Sequence, residues 1–212
     1  MTDYRLLFDM RRGDLFPSFC LYDMTKLEER ILKDGKVFPG EVLKVDSFVN
    51  HCIDVPFMCE LADEFCRLFK DEGINKIVTI EASGIGIACL VAERFGCPAV
   101  FAKKSKTSNI GDELYCAPIH SYTHNTDYNV VISKDYICKD DRVLIIDDFL
   151  ATGAAFIGLI DICRQGGATV AGCGVLIEKA EQGGGDRIRK ICRCEALARI
   201  KSMTDDAILF VD

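Results

Sequence analysis

Apolar residues recur with helical and strand spacing through the middle of the chain, and glycine or proline residues separate the segments. A run in which every third or fourth residue is apolar predicts a helix, and a short apolar run predicts a buried strand. In chain order the pattern predicts a helix from Asp54 to Gly73, a strand over 76–80, a turn over 81–84, a helix through Phe95 and a strand over 99–102. A strand, a helix and a second strand in this order form a βαβ unit.

A second βαβ unit is predicted further along, with a strand over 143–146, a helix over 153–165 and a strand over 170–177. The first of these strands is apolar at every position, which is typical of a parallel sheet that has helices on both faces. The polar segment 103–127 between the two units is long for a plain connection, so it is either a hairpin or a loop that closes over a site. We therefore expect an α/β fold with a doubly wound parallel sheet.

The start of the chain is less regular. Thr25 is placed to cap a short helix over 26–33, whereas residues 1–23 show no clear period. We interpret 1–23 as an N-terminal extension of unknown role.

Charge and hydropathy exclude several classes of protein. The 33 acidic and 26 basic residues give a net charge of −7, which disfavours binding to nucleic acid or to an anionic membrane. No apolar stretch approaches the ~20 residues of a transmembrane helix, and the first residues lack the apolar core of a signal peptide. We therefore expect a cytoplasmic protein.

Twelve cysteines are scattered along the chain without a C-x-x-C pair. Cys59, Cys66, Cys89, Cys163 and Cys173 lie within apolar segments, where a free cysteine behaves as a small buried apolar residue. This spacing favours packing over a zinc site or a disulfide framework, and it fits a reducing compartment.

The segment VLIIDDFLATGAA, residues 143–155, carries the strongest chemical signal. An apolar strand ends in Asp147 and Asp148, and small residues then open a helix at the sheet edge where ligands of α/β proteins bind. Small residues let backbone N–H groups approach a phosphate, and the helix dipole favours the anion. The two carboxylates suit sugar hydroxyls or Mg²⁺, so a phosphorylated sugar satisfies both halves of the motif.

This motif resembles the site for 5-phosphoribosyl-1-diphosphate (PRPP) in the type I phosphoribosyltransferases. The narrower resemblance is to bacterial xanthine phosphoribosyltransferases, and four segments carry it: Val42–Asp54, Gly73–Ile85, Val143–Gly153 and Glu195–Ile200. It extends from about Met24 to the end of the chain. It implies one phosphoribosyltransferase domain over 24–212, with a small hood contributed by about 24–54.

The resemblance also implies roles for individual residues. Asp147 and Asp148 face the ribose as catalytic residues, and Mg²⁺ accompanies PRPP with no ligand cluster from the protein alone. Residues expected to bind PRPP are Ala151, Thr152, Gly153, Ala154, Ala155, Glu81, Ala82, Ser83, Gly84 and Lys104. The turn 81–84 is a place where such enzymes often have a strained or cis peptide. Residues expected to line the purine pocket are Leu43, Asn50 and Lys179. Lys103, Lys104 and Lys106 could neutralise pyrophosphate from a closing loop or could simply be solvated.

Position 151 and Lys179 narrow the choice of base. Relatives specific for hypoxanthine and guanine have an aspartate before Thr-Gly, whereas this chain has Ala151 and so lacks that general base. Xanthine is more acidic and has less need of a base. The Lys179 ammonium has only donors, so it complements a purine carbonyl and not the amino group of adenine. Xanthine is therefore favoured, with guanine and hypoxanthine left open.

Two other functions compete with this hypothesis. A PRPP-sensing regulator can use the same fold, but it would need a basic surface for DNA or RNA. An adenine phosphoribosyltransferase shares the Ala-Thr-Gly signature. The resemblance further implies a homodimer, with small-molecule substrates and without nucleic-acid or membrane partners.

Overall fold

The computed structural model describes residues 8–9, 14–15, 24–40, 42–104, 113–121, 126–204 and 207–211. Its strands are β1 (Phe8–Asp9), β2 (Asp14–Leu15), β3 (Lys36–Phe38), β4 (Val42–Lys44), β5 (Lys76–Ile80), β6 (Ala99–Ala102), β7 (Leu114–Ser121), β8 (Thr126–Ser133), β9 (Arg142–Leu150), β10 (Thr169–Lys179), β11 (Cys194–Thr204) and β12 (Ala207–Phe210). Its α-helices are α1 (Lys26–Asp34), α2 (Val55–Phe69), α3 (Gly84–Phe95), α4 (Ala154–Gln165) and α5 (Gly184–Arg189).

A six-stranded sheet in the order β12-β11-β10-β9-β5-β6 forms the centre of the fold. Its neighbouring strands are parallel from β11 to β6, and β12 adds an antiparallel edge. Both βαβ units predicted from the sequence are present, as β5-α3-β6 and β9-α4-β10. The predicted doubly wound α/β fold is therefore confirmed.

Apolar side chains cover both faces of this sheet. One core cluster includes Phe65 of α2, Ile87 of α3 and Leu144 of β9. The other includes Phe156 of α4 and Val78 of β5, together with apolar residues of β7 and β8. Helices therefore pack on the two faces, as the fully apolar strands predict. None of the described helices is long and apolar enough to cross a membrane.

Local signals set the helix ends. Thr25 accepts a hydrogen bond from the Glu28 N–H, and the Glu28 side chain accepts one from the Thr25 N–H, so α1 begins with a capping box. The Asp54 side chain caps α2, and Gly96 ends α3 with φ of 63°. The left-handed conformation of Gly96 closes a helix without steric cost. These three predicted helix boundaries are confirmed.

The prediction that the acid pair follows the strand is wrong. The sequence predicts a strand over 143–146, but β9 continues to Leu150, so Asp147 and Asp148 lie within it. The reason is tertiary, because β10 continues to pair with this extension at Asp147, Phe149 and Leu150. On its other side β9 loses its neighbour early, since β5 ends at Ile80. The space beside β9 beyond the end of β5 is called the crevice below.

The segment 103–127 contains a hairpin, one of the two predicted alternatives. Strands β7 and β8 pair antiparallel from Leu114↔Ser133 to Ser121↔Thr126. Residues 105–112 and 122–125 lie outside the described residues, and the expectation for Lys106 falls there.

The hood is formed by α1, the antiparallel pair β3-β4 and a single π-helical turn over 46–50. The Thr25 hydroxyl donates to the Leu197 carbonyl at 2.9 Å, which joins the start of α1 to β11. In the 1–23 extension only the short antiparallel pair β1-β2 is described. The division of the chain at residue 23 stays a prediction.

The expectation that the cysteines are buried is only partly confirmed. Cys163 and Cys173 are buried, Cys59 and Cys66 are half-buried, and Cys89 is exposed. Cys89 differs because α3 packs only one face against the sheet and this residue lies off that face. All cysteines in the described ranges are free thiols.

Candidate active site

Two adjacent carboxylates lie buried in the crevice where β9 extends past β5. Asp147 is 5% exposed and Asp148 is 6% exposed. The Asp148 N–H donates to Asp147 Oδ1 at 3.0 Å, and the Phe149 N–H donates to Asp148 Oδ1 at 3.0 Å. Asn50 of the hood donates from Nδ2 to Asp148 Oδ2 at 3.2 Å. Backbone and hood together fix the direction of both side chains.

The environment of Asp147 disfavours its charged form. Burial raises the pKa of Asp147 well above its usual range, and the negative charge of Asp148 adds to the effect. The Lys104 charge lowers the Asp147 pKa, but it is the weakest of these influences. The pair is therefore short of positive charge, and a bound cation or a set of hydroxyl donors would stabilise it.

The turn 81–84 lies directly against the acid pair. The Glu81–Ala82 peptide bond is cis, as the resemblance implies for this turn. A Cβ at Gly84 would overlap the Asp147 carboxylate and the Thr79 hydroxyl, so only glycine fits there. The Lys104 N–H donates to Glu81 Oε1 at 2.6 Å, which holds this lysine beside the turn. Lys103 instead pairs through its backbone with Val131.

Thr79 is a residue that sequence reasoning missed. It is 1% exposed, and its Oγ1 has no hydrogen-bond partner among the described residues. A buried hydroxyl without a partner is unfavourable, so such groups often lie beside a ligand. The available signal was a polar residue within the apolar run that follows Lys76 in β5.

Tyr128 of β8 lies near enough to Asp147 for the carboxylate charge to act on its hydroxyl, and sequence reasoning also missed it. Burial raises the pKa of Tyr128, and the Asp147 charge raises it further. Lys104 Nζ lies 5.8 Å from the centre of the Tyr128 ring. The hairpin therefore contributes one wall of the crevice.

The small-residue turn over 151–155 leads from β9 into α4. Gly153 has φ of 84°, and no side chain of the described ranges caps the start of α4. The first N–H groups of a helix lack partners within the helix, so an uncapped start leaves donors for an anion. The structure thus places a turn with amides available to an anion three residues beyond the acid pair.

Helix α5 supports this turn from behind, a feature that sequence reasoning missed. The Gly184 N–H donates to the Ala151 carbonyl at 3.1 Å. Arg187 Nη1 donates to the Thr152 carbonyl at 3.0 Å. A Cβ at Gly184 would overlap the backbone of 151–153, so the two segments need glycine to meet. The glycine run 183–185 was the available sequence signal.

Glu178 forms a second buried charge cluster near the site. Its side chain is 1% exposed, and it accepts hydrogen bonds from Arg189 Nη1 at 2.8 Å and from Arg199 Nε at 3.0 Å. Burial raises the pKa of Glu178, but hydrogen bonds and charges from Arg189 and Arg199 outweigh burial and leave the pKa lowered. This carboxylate is neutralised by the protein itself.

The three residues predicted for the purine pocket lie in different settings. Asn50 is exposed and touches the acid pair. Lys179 is half-buried at the end of β10, one residue beyond the pairing of Glu178 with Leu150. Leu43 is 7% exposed and belongs to the core cluster under the hood. The structure therefore brings Asn50 to the acid pair and places Lys179 at the carboxyl end of β10, whereas Leu43 packs mainly into the core.

Metal binding at this site would depend on the substrate. Among the described residues there is no group of three or more His, Cys, Asp or Glu side chains placed to hold a metal ion. The crowded carboxylates of Asp147 and Asp148 nevertheless fit a divalent cation, because its charge would offset the repulsion that raises the Asp147 pKa. Two carboxylates are too few to bind the ion alone, so they suit a cation that brings further oxygen ligands from a substrate.

Comparison with known proteins agrees with this geometry. A family model described as a phosphoribosyl transferase domain matches residues 60–196. A xanthine phosphoribosyltransferase from Finegoldia magna is 54% identical over 190 residues, which cover 89% of this chain and 100% of the relative. One from Lachnoclostridium phytofermentans is 51% identical, with 88% of this chain and 98% of the relative covered.

Solved structures share the fold at low sequence identity. The adenine phosphoribosyltransferase from Rhodothermus marinus superposes with a TM-score of 0.66 at 23% identity, covering 81% of this chain and 97% of that one. The adenine phosphoribosyltransferase from Trypanosoma brucei superposes with a TM-score of 0.69 at 17% identity, covering 82% of this chain and 79% of that one. These two likenesses establish the architecture. With the family match and the close relatives, they show that the chain belongs to the type I phosphoribosyltransferase family, in the group of the xanthine phosphoribosyltransferases.

Proposed function

We propose that the protein transfers the 5-phosphoribosyl group of PRPP to xanthine, which yields xanthosine 5′-monophosphate and pyrophosphate. The observation that carries this proposal is the buried pair Asp147 and Asp148 ahead of the uncapped turn 151–155. Carboxylates and free amides at this spacing suit the hydroxyls and the 5′-phosphate of one sugar phosphate.

In the proposed reaction a purine ring nitrogen forms a bond to C1 of the ribose. The bond from C1 to the pyrophosphate oxygen breaks, its electron pair leaves with pyrophosphate, and the ring proton passes to water. Positive charge develops on the sugar, and the carboxylates of Asp147 and Asp148 stabilise it. The turn 151–155 holds the sugar by its phosphate, which keeps the reacting atoms aligned. Ala151 offers no general base, which suits an acidic purine such as xanthine.

The leaving pyrophosphate lies, in this proposal, against the turn 81–84 and Lys104. The Lys104 backbone is tied to Glu81, so its ammonium stays near the turn. Mg²⁺ bound with PRPP would offset the pyrophosphate charge, and Asp147 and Asp148 would hold it through the ribose hydroxyls. The Thr79 hydroxyl, which has no hydrogen-bond partner in the described part of the chain, is available to donate to the pyrophosphate.

The base is proposed to bind between the hood and the end of β10. Lys179 would donate to a purine carbonyl, and Asn50 would supply an amide beside the ribose. The curated relatives that are about half identical are named for xanthine, which supports xanthine over guanine and hypoxanthine.

An assay with each base in turn tests this function. The protein is mixed with PRPP, Mg²⁺ and either xanthine, guanine, hypoxanthine or adenine, and nucleotide formation is followed. We expect the highest kcat/KM with xanthine. A higher value with adenine would favour an adenine phosphoribosyltransferase. Tight PRPP binding without turnover on any base would instead favour a PRPP-sensing regulator.

We further propose that the enzyme acts in the cytoplasm as a homodimer, with small-molecule substrates and no nucleic-acid or membrane partner. The free thiols of the described cysteines support a reducing compartment. Light scattering coupled to gel filtration would measure the mass in solution, and a monomer would contradict the dimer.

A further inference from the structure

The described hydrogen bonds from helix α5 to the turn 151–153 both end on carbonyl groups of the turn. The Ala151 carbonyl accepts from the Gly184 N–H at 3.1 Å, and the Thr152 carbonyl accepts from Arg187 Nη1 at 3.0 Å. Gly153 lies close to the same segment, because a Cβ added to it would be 3.2 Å from the Gly184 oxygen. Two successive carbonyls of the turn are therefore held by α5.

Holding the carbonyls also sets the direction of the amides. In a planar trans peptide the C=O and the following N–H point in opposite directions. The only cis peptide in the described chain is Glu81–Ala82, so the peptides of the turn are trans. Because the Ala151 carbonyl points toward α5, the Thr152 N–H points away from α5. The Thr152 carbonyl also points toward α5, so the Gly153 N–H points away as well. Both N–H groups then face the side of the turn opposite α5.

Helix α5 is itself fixed at its other end. Arg189 binds the buried Glu178 of β10 through two nitrogens, at 2.8 and 2.5 Å. A Cβ at Gly185 would overlap the Glu178 carboxylate, so the helix lies directly on this charge cluster. The described part of the chain places no carboxylate within ion-pair distance of Arg187, and its one hydrogen-bonded partner there is the Thr152 carbonyl.

We propose that Arg187 is a positioning residue for the 5′-phosphate of PRPP, because it orients the turn amides toward the phosphate without touching it. This inference rests on the proposed function, since it assumes that the turn 151–155 receives that phosphate. Gly184 supplies the second half of the same support. The specificity for a phosphorylated sugar thus depends on a side chain behind the site.

The test compares Arg187→Ala with Lys190→Ala. Both substitutions remove one positive charge from an exposed residue at α5, but only Arg187 contacts the turn. Binding of ribose 5-phosphate is measured by isothermal titration calorimetry, and KM values for PRPP and xanthine are measured by assay. We expect Arg187→Ala to weaken ribose 5-phosphate binding and to raise the KM for PRPP by about tenfold each. The KM for xanthine should stay within about twofold, and Arg187→Lys should recover part of the loss.

Equal behaviour of the Arg187→Ala and Lys190→Ala proteins would overturn the inference, as would an equal rise in both KM values. The binding measurement does not depend on turnover. If the wild type bound ribose 5-phosphate but formed no nucleotide, the proposed function would fail, while the role of Arg187 would still be decided by the binding constants.

Discussion

Two buried carboxylate sites lie on neighbouring strands at the same edge of the sheet, and they differ in how their charge is compensated. Glu178 on β10 is surrounded by Arg189 and Arg199, and its pKa is lowered. Asp147 on β9 has another carboxylate as its neighbour, and its pKa is raised by burial and by Asp148. The protein neutralises one site completely and leaves the other short of positive charge. Uncompensated charge in a crevice is expected where a ligand supplies the missing partner.

The largest loss of stability should come from a substitution at Glu178, the carboxylate whose charge the protein compensates. Glu178→Gln would leave Arg189 and Arg199 without their common carboxylate, so we expect the free energy of unfolding to fall by about 3 kcal/mol. Urea denaturation followed by circular dichroism measures this change. Glu64→Gln is the matched control, because Glu64 pairs with Arg67 on the exposed face of α2 and should lose less than about 1 kcal/mol. Similar losses of stability in the Glu178→Gln and Glu64→Gln proteins would show that the buried cluster contributes no more than an exposed ion pair.

A substitution in the acid pair should lower turnover more than it lowers stability. Asp148→Asn keeps the shape of the side chain and removes the charge that stabilises the developing cation on the sugar. We expect kcat to fall at least tenfold, which corresponds to about 1.4 kcal/mol. Steady-state kinetics with saturating PRPP and xanthine give the value. Wild-type turnover in this variant would show that the carboxylate has no part at the ribose.

Lys179 follows Glu178 in sequence, but it is proposed to bind the purine, whereas Glu178 only pairs with arginines of the protein. Lys179→Ala should raise the KM for xanthine about tenfold, because one charged donor to the base is lost. The KM for PRPP should change by less than about twofold, and Lys201→Ala on β11 serves as the control for a lost lysine. Unchanged KM values for both substrates would place Lys179 outside the purine pocket.

The smallest expected effect is a gain in stability. Asp147→Asn removes a carboxylate that is unfavourable in its buried position, so the free energy of unfolding at neutral pH should rise by about 1 kcal/mol. The folded-state pKa of Asp147 is raised, so its ionisation destabilises the fold as pH rises through the interval between the unfolded and the folded pKa. The advantage of the variant should therefore disappear below a pH of about 4. Denaturation curves at several pH values check this, and a destabilised variant would contradict it.

Much of the fold could be predicted from local sequence signals. Pro56, Gly96 and the capping residue Thr25 set helix boundaries that the structure keeps, and fully apolar strands indicate a sheet covered on both faces. The length of β9 could not be predicted in this way. The acids at 147 and 148 look like the end of a strand, and only the pairing of β9 with β10 extends the strand through them.

The sequence predicts the part of the candidate site that lies within one continuous motif. Residues 147–155 are continuous in sequence, so the acid pair and the turn could be recognised together. Arg187, Thr79 and Tyr128 reach the site through tertiary packing from separate elements, and no local pattern links them. Their roles depend on which strands are neighbours, which a single sequence does not fix.

Ligand binding is expected to supply the positive charge that the acid pair lacks. If so, binding of PRPP with Mg²⁺ lowers the pKa of Asp147 and releases a proton. Calorimetric titrations in buffers of different ionisation enthalpy, at pH values between about 5 and 7, measure this release. We expect proton release from the wild type to exceed that from Asp147→Asn, which retains only the protons lost by PRPP and other groups. Equal release from the two proteins would contradict the account.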